Sequence, residues 1–315
     1  MNLENVTIVT NDTKPGYEYS ACDYVVGVGI PILAGIAVLF NLVTLLVMHI
    51  CFGKIRSYYV LIVVQCSADL LASFAYLAFY LVPNYVNQLL PPPRGIHYCI
   101  TRFFTDMING SFALSLMNVL AITLDRFVAV HSPLKYPTVA RTSRMKIIAV
   151  VMALISLILS CIPIVGTITK ANAGNFTFCD TYYHAYSVTY QFVNVLIVLD
   201  TLVMIGVYSY ILDQVRRRPV SQCSTRSTYH TTVTSFWIVA TFMICYWPDI
   251  ITMYVEFPYS IVYLIKSLVL LNCIADPIIY AIRLRKIKLG FRKLYSNIRG
   301  SSESNTRTSK MNLEE

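Results

Sequence analysis

Long apolar runs separated by short polar segments dominate this chain. Seven of the runs reach the length of about 20 residues that a helix needs to cross the hydrocarbon core of a bilayer. They cover residues 24–48, 58–82, 103–130, 147–169, 186–212, 231–254 and 259–282. Most runs are apolar around the whole helix rather than along one stripe, which is typical of helices surrounded by lipid or by other helices. The pattern predicts an all-α membrane protein whose seven-transmembrane helix bundle occupies residues 24–283.

The two ends of the chain follow different patterns. Residues 1–23 are polar and acidic, without the basic start and short apolar core of a cleaved signal peptide, so the first run is expected to act as the insertion signal. Residues 284–298 carry apolar side chains at helical spacing among Arg and Lys, which predicts an amphipathic helix on the membrane surface. Residues 299–315 are rich in Ser, Asn and charge and are predicted to be a disordered tail.

Composition narrows the class of protein further. The chain is 56% hydrophobic and only 13% charged, whereas soluble domains carry about 25% charged residues. This argues against an ordinary soluble enzyme. The net charge of +9 indicates basic loops at an anionic lipid surface rather than a nucleic-acid partner.

The distribution of basic residues predicts the orientation. Only five of the 25 Lys and Arg residues lie on the side of the amino terminus, and the remaining 20 lie on the other side. By the positive-inside rule the amino terminus is extracellular and the carboxyl terminus cytoplasmic, in a multi-pass protein of the cell membrane. Three glycosylation sequons, at Asn5, Asn11 and Asn175, all fall on the predicted outer side.

Two cysteines also lie on the predicted outer side, one on each of two neighbouring segments. Cys99 stands at the outer end of the third run, and Cys179 stands in the loop after the fourth. Because that compartment is oxidising, we expect these two thiols to form a disulfide. Cys22 is also outside and has no assigned partner.

Charged residues adjoin at the inner end of the third run. Asp125 and Arg126 are neighbours, followed by Phe127. A carboxylate beside a guanidinium at the membrane boundary can neutralise it and hold it in one rotamer. The alternative is that Arg126 snorkels to lipid headgroups beside a chance Asp125.

A second group of polar residues lies deeper in the runs. Isolated charges at bilayer depth tend to face the bundle interior, so we expect a polar cluster in which Asn41 joins four predicted ion ligands. These four are Asp69, Ser115, Asn272 and Asp276. Two carboxylates with neutral oxygens suit a hard cation such as Na⁺. The alternatives are one protonated carboxyl group or a purely structural hydrogen-bond network.

Prolines interrupt the last two runs. Pro248 follows the aromatic side chains Phe242 and Tyr246, and Pro277 follows Asp276 directly. Each proline permits a kink, and bulky aromatics just before a kink can move when it changes.

Taken together, these motifs resemble those of class A, rhodopsin-like G-protein-coupled receptors over residues 24–298. The matching positions are Asn41, Asp69, Asp125-Arg126-Phe127, Phe242-x-x-Cys245-Tyr246-x-Pro248 and Asp276-Pro277-x-x-Tyr280. Phe127 replaces the family Tyr, Asp276 the family Asn, and Tyr246 the family Trp. The seventh run is similar to that of the melanocortin and adenosine receptor branch.

The resemblance implies a receptor that binds an extracellular ligand and activates a heterotrimeric G protein, with arrestin and a receptor kinase as further partners. The residues that it implies for coupling and switching are Asp125, Arg126, Phe127, Tyr208, Tyr246, Pro248, Pro277 and Tyr280. Thr228 stands where many members carry an acid that latches the Arg, so that latch is expected to be absent. The alternative is a secondary transporter or ion channel that uses the intramembrane carboxylates. No enzyme is expected, because neither H-E-x-x-H nor G-x-S-x-G occurs.

The ligand is expected to be a small molecule or a peptide. The predicted ligand-binding residues are Ile108, Phe112, Tyr190, Tyr246, Asp249 and Lys266. Counted back from Arg126, Ile108 stands where amine receptors of the family carry an Asp, whereas counting forward from Cys99 places Asp106 there. Helix continuity favours the first count, which disfavours a biogenic amine. Asp249 and Lys266 either pair with each other or contact a charged ligand. Apart from the candidate sodium ion, no cofactor is expected.

Overall fold

The structure is a computed structural model, and it describes residues 28–51, 57–82, 96–171, 182–217, 226–252, 254–255 and 257–296. The helices in this part of the chain are α1 (Ile30–Cys51), α2 (Ser57–Leu81), α3 (Ile96–His131), α4 (Tyr136–Val139), α5 (Thr142–Ala171), α6 (Tyr182–Arg217), α7 (Arg226–Ile251) and α8 (Tyr259–Arg283). A further helix, α9, follows at 285–296.

Seven of the described helices are long and apolar enough to cross a membrane. They are α1, α2, α3, α5, α6, α7 and α8, so the predicted seven-helix bundle is confirmed, as is the extra helix after it. The expected end of the sixth run at 254 is wrong. The helix ends at Ile251, and the hydroxyl of Thr252 donates to the carbonyl oxygen of Asp249 at 2.6 Å, which satisfies an acceptor in the last turn.

Helix α3 lies in the middle of the bundle. It packs against α2, α5, α6 and α7, while α8 packs against α7, α1 and α2. This central place explains why many polar side chains of α3 are buried, among them Ser115, Asn118 and Arg126. The polar groups discussed below therefore lie where several helices meet.

Helix α5 lies at the periphery. Its exposed face carries large apolar side chains, namely Ile147, Val150, Val151, Leu154, Leu157 and Ile158. A stripe of this kind is what a lipid-facing helix presents. Helix α5 approaches α3 closely at Gly110, whose carbonyl oxygen accepts a hydrogen bond from the hydroxyl of Ser156 at 2.7 Å.

Candidate functional site

The bundle end that carries Asp125 and Arg126, which is the predicted cytoplasmic end, is called the inner end. There the guanidinium of Arg126 pairs with the carboxylate of Asp125, and its Nε donates to Oδ2 at 3.0 Å. Arg126 is only 3% exposed. The predicted pairing is therefore confirmed, and the snorkelling alternative is wrong.

Tyr136, on the short helix α4, completes this ion pair. The Nη2 of Arg126 donates to the Tyr136 hydroxyl at 2.8 Å, and that hydroxyl donates to Oδ1 of Asp125 at 3.1 Å. Burial raises the pKa of the Tyr136 phenol above its ordinary value, so the group is a hydrogen-bond donor at neutral pH. No role was predicted for Tyr136 from the sequence. The feature of the sequence that could have indicated a role is a polar aromatic residue ten positions after Arg126.

Tyr58, at the start of α2, covers the other side of the guanidinium. The Cζ of Arg126 lies 4.7 Å from the centre of the Tyr58 ring. The Tyr58 hydroxyl lies 3.5 Å from Oγ of Ser235 on α7. Helices α2, α3 and α7 are thus linked at the inner end through Tyr58. The side chain of Thr228, where the acidic latch was expected to be absent, lies outside the described residues.

Phe127, the third residue of the predicted motif, takes part in a separate aromatic contact. Its ring stacks on that of His131, with centroids 5.3 Å apart. Nδ1 of His131 lies 2.7 Å from the hydroxyl of Tyr210 on α6. Phe127 therefore helps to join α3 to α6, and His131 and Tyr210 were missed by the sequence analysis.

Gln65 is the centre of the buried polar cluster. Its Nε2 donates to Oγ of Ser115 at 2.5 Å and to Oδ1 of Asp69 at 3.3 Å. Its Oε1 accepts from Nδ2 of Asn118 at 2.9 Å, and the same Nδ2 donates to the carbonyl oxygen of Leu61 at 3.0 Å. The structure therefore joins Asp69 and Ser115 through the amide of Gln65, which Asn118 holds from its other end. Neither Gln65 nor Asn118 was predicted from the sequence.

The α8 side of the cluster contains polar atoms that have no such partner. Both oxygens of Asp276, both polar atoms of the Asn272 side chain and Oδ2 of Asp69 are buried without a hydrogen-bond partner among the described residues. Asn41 binds the backbone instead, since its Nδ2 donates to the carbonyl oxygens of Cys273 on α8 at 2.7 Å and of Ala37 at 3.0 Å. Asp69 and Asp276 lie close enough to interact electrostatically. Buried carboxylates need either a proton or a cation.

The donor set can be compared with the needs of a sodium ion. Oxygen atoms without partners, from two acids and one amide, are the chemistry that a hard cation prefers. In the described residues no group of three or more His, Cys, Asp and Glu side chains could hold a metal, so any ion there would depend on neutral oxygens. The oxygen of Ser115, one of the predicted ligands, is engaged by Gln65.

Nearer the opposite end, three aromatic rings pack between α3 and α7. The Tyr246 ring lies 4.3 Å from that of Phe112 and 4.3 Å from that of Phe242. Tyr246 is only 2% exposed, and Ile108 packs against the same core. Pro248 lies within α7, two residues after Tyr246. The rings thus contact one another at the kink-permitting part of α7.

Asp249 and Lys266 form an ion pair between α7 and α8. Nζ of Lys266 lies 3.0 Å from Oδ1 of Asp249. The two side chains are partly exposed, at 20% for Asp249 and 36% for Lys266. Of the two alternatives left open by the sequence, the structure shows the pairing, and contact with a ligand stays a prediction.

The two tyrosines expected on the activation route are both buried. Tyr208 is on α6, and Tyr280 is on α8, one turn after Pro277. Neither hydroxyl has a hydrogen-bond partner in the described part of the chain. Several other predicted residues cannot be placed: Asn5, Asn11, Asn175 and Cys179, together with the side chains of Cys99 and Tyr190, lie outside the described residues.

The comparisons with known proteins agree with this architecture. The family model for the seven-transmembrane receptors of the rhodopsin family matches residues 35–280, and the chain belongs to that family. It is 26% identical to the adenosine receptor A2b of Gallus gallus over 238 residues, which are 64% of this chain and 69% of that receptor. It is 28% identical to the adenosine receptor A2a of Canis lupus familiaris over 231 residues, which are 63% of this chain.

The chain spans about half the length of that A2a receptor, 55%. A shorter match, 28% identical over 116 residues, covers 36% of this chain and 24% of the tyramine receptor Ser-2 of Caenorhabditis elegans. The resemblance to class A receptors and to their adenosine branch is thereby confirmed. The family is one of membrane receptors, and none of these matches favours the transporter or channel alternative.

Proposed function

We propose that this protein is a cell-surface receptor that binds an extracellular small molecule and activates a heterotrimeric G protein. The observation that carries the proposal is the buried Arg126, held by Asp125, Tyr136 and Tyr58 at the inner end. A buried cation with several partners on different helices is expensive to build and points to a functional role.

Arg126 is buried at the inner end in this conformation. Since Tyr58 meets Ser235 of α7, an outward movement of α7 would break that contact and uncover the guanidinium. Arg126 could then face a cytoplasmic partner. Binding of an agonist only has to favour the open conformation over the closed one by its difference in affinity.

The outer part of the bundle offers a route from the ligand to α7. The proposed ligand-binding residues are Ile108, Phe112, Tyr190, Tyr246, Asp249 and Lys266. A ligand with a charged group would compete for the ion pair between Asp249 and Lys266, which joins α7 to α8. A movement of α7 would also displace Phe112 on α3, because the Tyr246 ring of α7 contacts the Phe112 ring. Two kinds of relative are named for small ligands, adenosine and tyramine, which supports a small molecule over a peptide.

We also propose an orientation in the membrane, glycosylation and a disulfide. The excess of basic residues in the predicted inner loops supports an extracellular amino terminus and a cytoplasmic carboxyl terminus. In that orientation Asn5, Asn11 and Asn175 would be glycosylated, and Cys99 and Cys179 would form a disulfide. Arrestin and a receptor kinase are proposed as additional cytoplasmic partners.

We also propose a sodium ion as an allosteric ligand near Asp69, Asn272 and Asp276. The support is the set of buried oxygens without partners. A bound cation would supply positive charge to the two carboxylates and so stabilise the closed bundle. Asp69, Asn272 and Asp276 would hold the ion through these oxygens.

Nucleotide exchange tests the proposed function. The full-length receptor, reconstituted in lipid nanodiscs, is mixed with purified G-protein heterotrimers of each class, and GTPγS uptake is measured with adenosine, tyramine and related small amines and nucleosides. Exchange above that of receptor-free discs is expected, and Arg126→Ala should abolish it. Ion flux in liposomes without any nucleotide exchange would contradict the proposal and favour a channel.

A further inference from the structure

Gln65 occupies a position that a cation at the central cluster would need. The side chain is completely buried on α2. Its amide nitrogen lies within hydrogen-bond distance of two oxygens that were predicted as ion ligands, Oγ of Ser115 and Oδ1 of Asp69. An amide group has two N–H donors, and these two contacts use both of them.

The orientation of this amide is determined by its other end. Oε1 accepts a hydrogen bond from Asn118, whose Nδ2 is itself held by the carbonyl oxygen of Leu61. If the amide were turned over, its oxygen would face the carboxylate of Asp69 and its nitrogen would face the donor of Asn118. Both contacts would then be repulsive, so the hydrogen-bond network selects the orientation with the nitrogen toward Asp69.

The nitrogen lies 2.5 Å from Oγ of Ser115 and 3.3 Å from Oδ1 of Asp69, so it takes the place of a cation that would bridge these two oxygens, and the partial positive charge of its hydrogens repels such an ion. The amide hydrogens carry partial positive charge, so they stabilise the carboxylate of Asp69 in part, as a cation would. The amide leaves Oδ2 of Asp69 and both oxygens of Asp276 without a partner. Of the four predicted ligands, Asn272, Asp276 and one oxygen of Asp69 therefore remain available to a cation.

We propose that Gln65 is a built-in competitor of the cation at this cluster. It withdraws Ser115 and one oxygen of Asp69 from coordination, so the native protein binds sodium weakly and a variant without the amide binds it more tightly. The inference rests on the sodium site of the proposed function, which it limits, and it assigns to Gln65 the role of a positioning residue for Ser115 and Asp69.

The experiment measures the thermal stability of the purified full-length receptor in nanodiscs as NaCl replaces choline chloride at constant ionic strength. Gln65→Met keeps the length of the side chain but has no N–H donor. We expect the midpoint of the sodium-dependent rise in Tm to fall at a concentration about fivefold lower in Gln65→Met than in the native receptor, since the amide hydrogen bonds to Ser115 and Asp69 no longer compete.

Ser115→Ala supplies the matched control. In the native background Ser115 is engaged by Gln65, so Ser115→Ala should leave the sodium response unchanged. In the Gln65→Met background the serine oxygen is released to the ion, so Ser115→Ala should weaken the response. This non-additivity is the signature of competition. Asp69→Asn should remove the response in both backgrounds, because it removes the charge that holds the ion.

The outcomes separate the two proposals. If the native receptor responds to sodium at the same concentrations as Gln65→Met, the competition is wrong and the sodium site stands. If no variant shows a sodium-specific rise, the sodium site is wrong and the inference fails with it. Should Gln65→Met not fold, Gln65→Leu replaces it, and Ser115→Ala alone remains decisive: a weakened response in the native background would show that Ser115 already binds the ion.

Discussion

The guanidinium of Arg126 stacks on the ring of Tyr58, with Cζ 4.7 Å from the ring centre. Because the hydroxyl of the same tyrosine meets Ser235, one aromatic side chain connects the arginine of α3 to α7. A desolvated cation–π contact contributes about 2 kcal/mol, and an exposed one about 0.5–1 kcal/mol. Many family members carry an acid at the position of Thr228 that latches the arginine. In this protein Tyr58 can supply such a restraint at the inner end.

Replacing Tyr58 should loosen the closed inner end. Tyr58→Leu loses both the stacking and the hydroxyl, and a loss of about 1 kcal/mol raises the population of the open state about fivefold. Agonist-independent GTPγS uptake measures this effect. Tyr58→Phe keeps the ring and serves as the control, with a smaller rise. Basal uptake in Tyr58→Leu equal to that of the native receptor would show that the contact does not restrain α7.

The raised pKa of Tyr136 predicts that the stability of the protein falls at alkaline pH. Its phenol pKa is raised above 10.0, chiefly by burial, so the folded protein keeps the proton after the unfolded chain has lost it. The stability that results is complete below about pH 10 and is lost as the pH rises through the higher folded pKa. Native Tm should fall more steeply than that of Tyr136→Phe in this alkaline range. Parallel curves for the two proteins would refute the prediction.

Gly110 lies where an added side chain would meet Ser160. A Cβ at this position would overlap Oγ of Ser160 and lie 3.1 Å from its Cβ, so Gly110→Ala must turn the Ser160 hydroxyl away from the carbonyl oxygen of Ser156, to which it donates at 2.9 Å, and should cost about 1–3 kcal/mol. The readout is Tm in nanodiscs. Gly206→Ala is the matched control, since a Cβ there meets nothing within 4 Å, and it should leave Tm unchanged or raise it. Ser160→Gly should restore stability to Gly110→Ala, and failure of that rescue would place the strain elsewhere.

The ion pair between Asp249 and Lys266 should contribute little to stability. Because both side chains are partly exposed, their coupling free energy should be about 0.2–1 kcal/mol. A double-mutant cycle of Asp249→Asn and Lys266→Met, read out as the free energy of unfolding, measures it. A coupling well above this range would mean that the pair is structural rather than available to a ligand.

Much of the fold was predictable because membrane insertion depends on local properties. A run of about 20 apolar residues is sufficient to predict a spanning helix, and all seven were found where expected. The ion pair of Asp125 and Arg126 was equally accessible, since its members are adjacent in the chain. The end of α7 could not be predicted from the sequence, because helix ends depend on single hydrogen bonds such as that of Thr252.

The seven spans, the family motifs and the presence of buried acids can be predicted from the residues alone, because hydropathy and short motifs are properties of one segment. Which polar groups meet depends on how the helices pack. Gln65 reaches Ser115 across 50 positions, and Tyr58 reaches Ser235 across 177. A neutral amide or phenol inside an apolar run leaves no local signal of its partner. The need to satisfy buried polar groups selects that partner only when the helices pack.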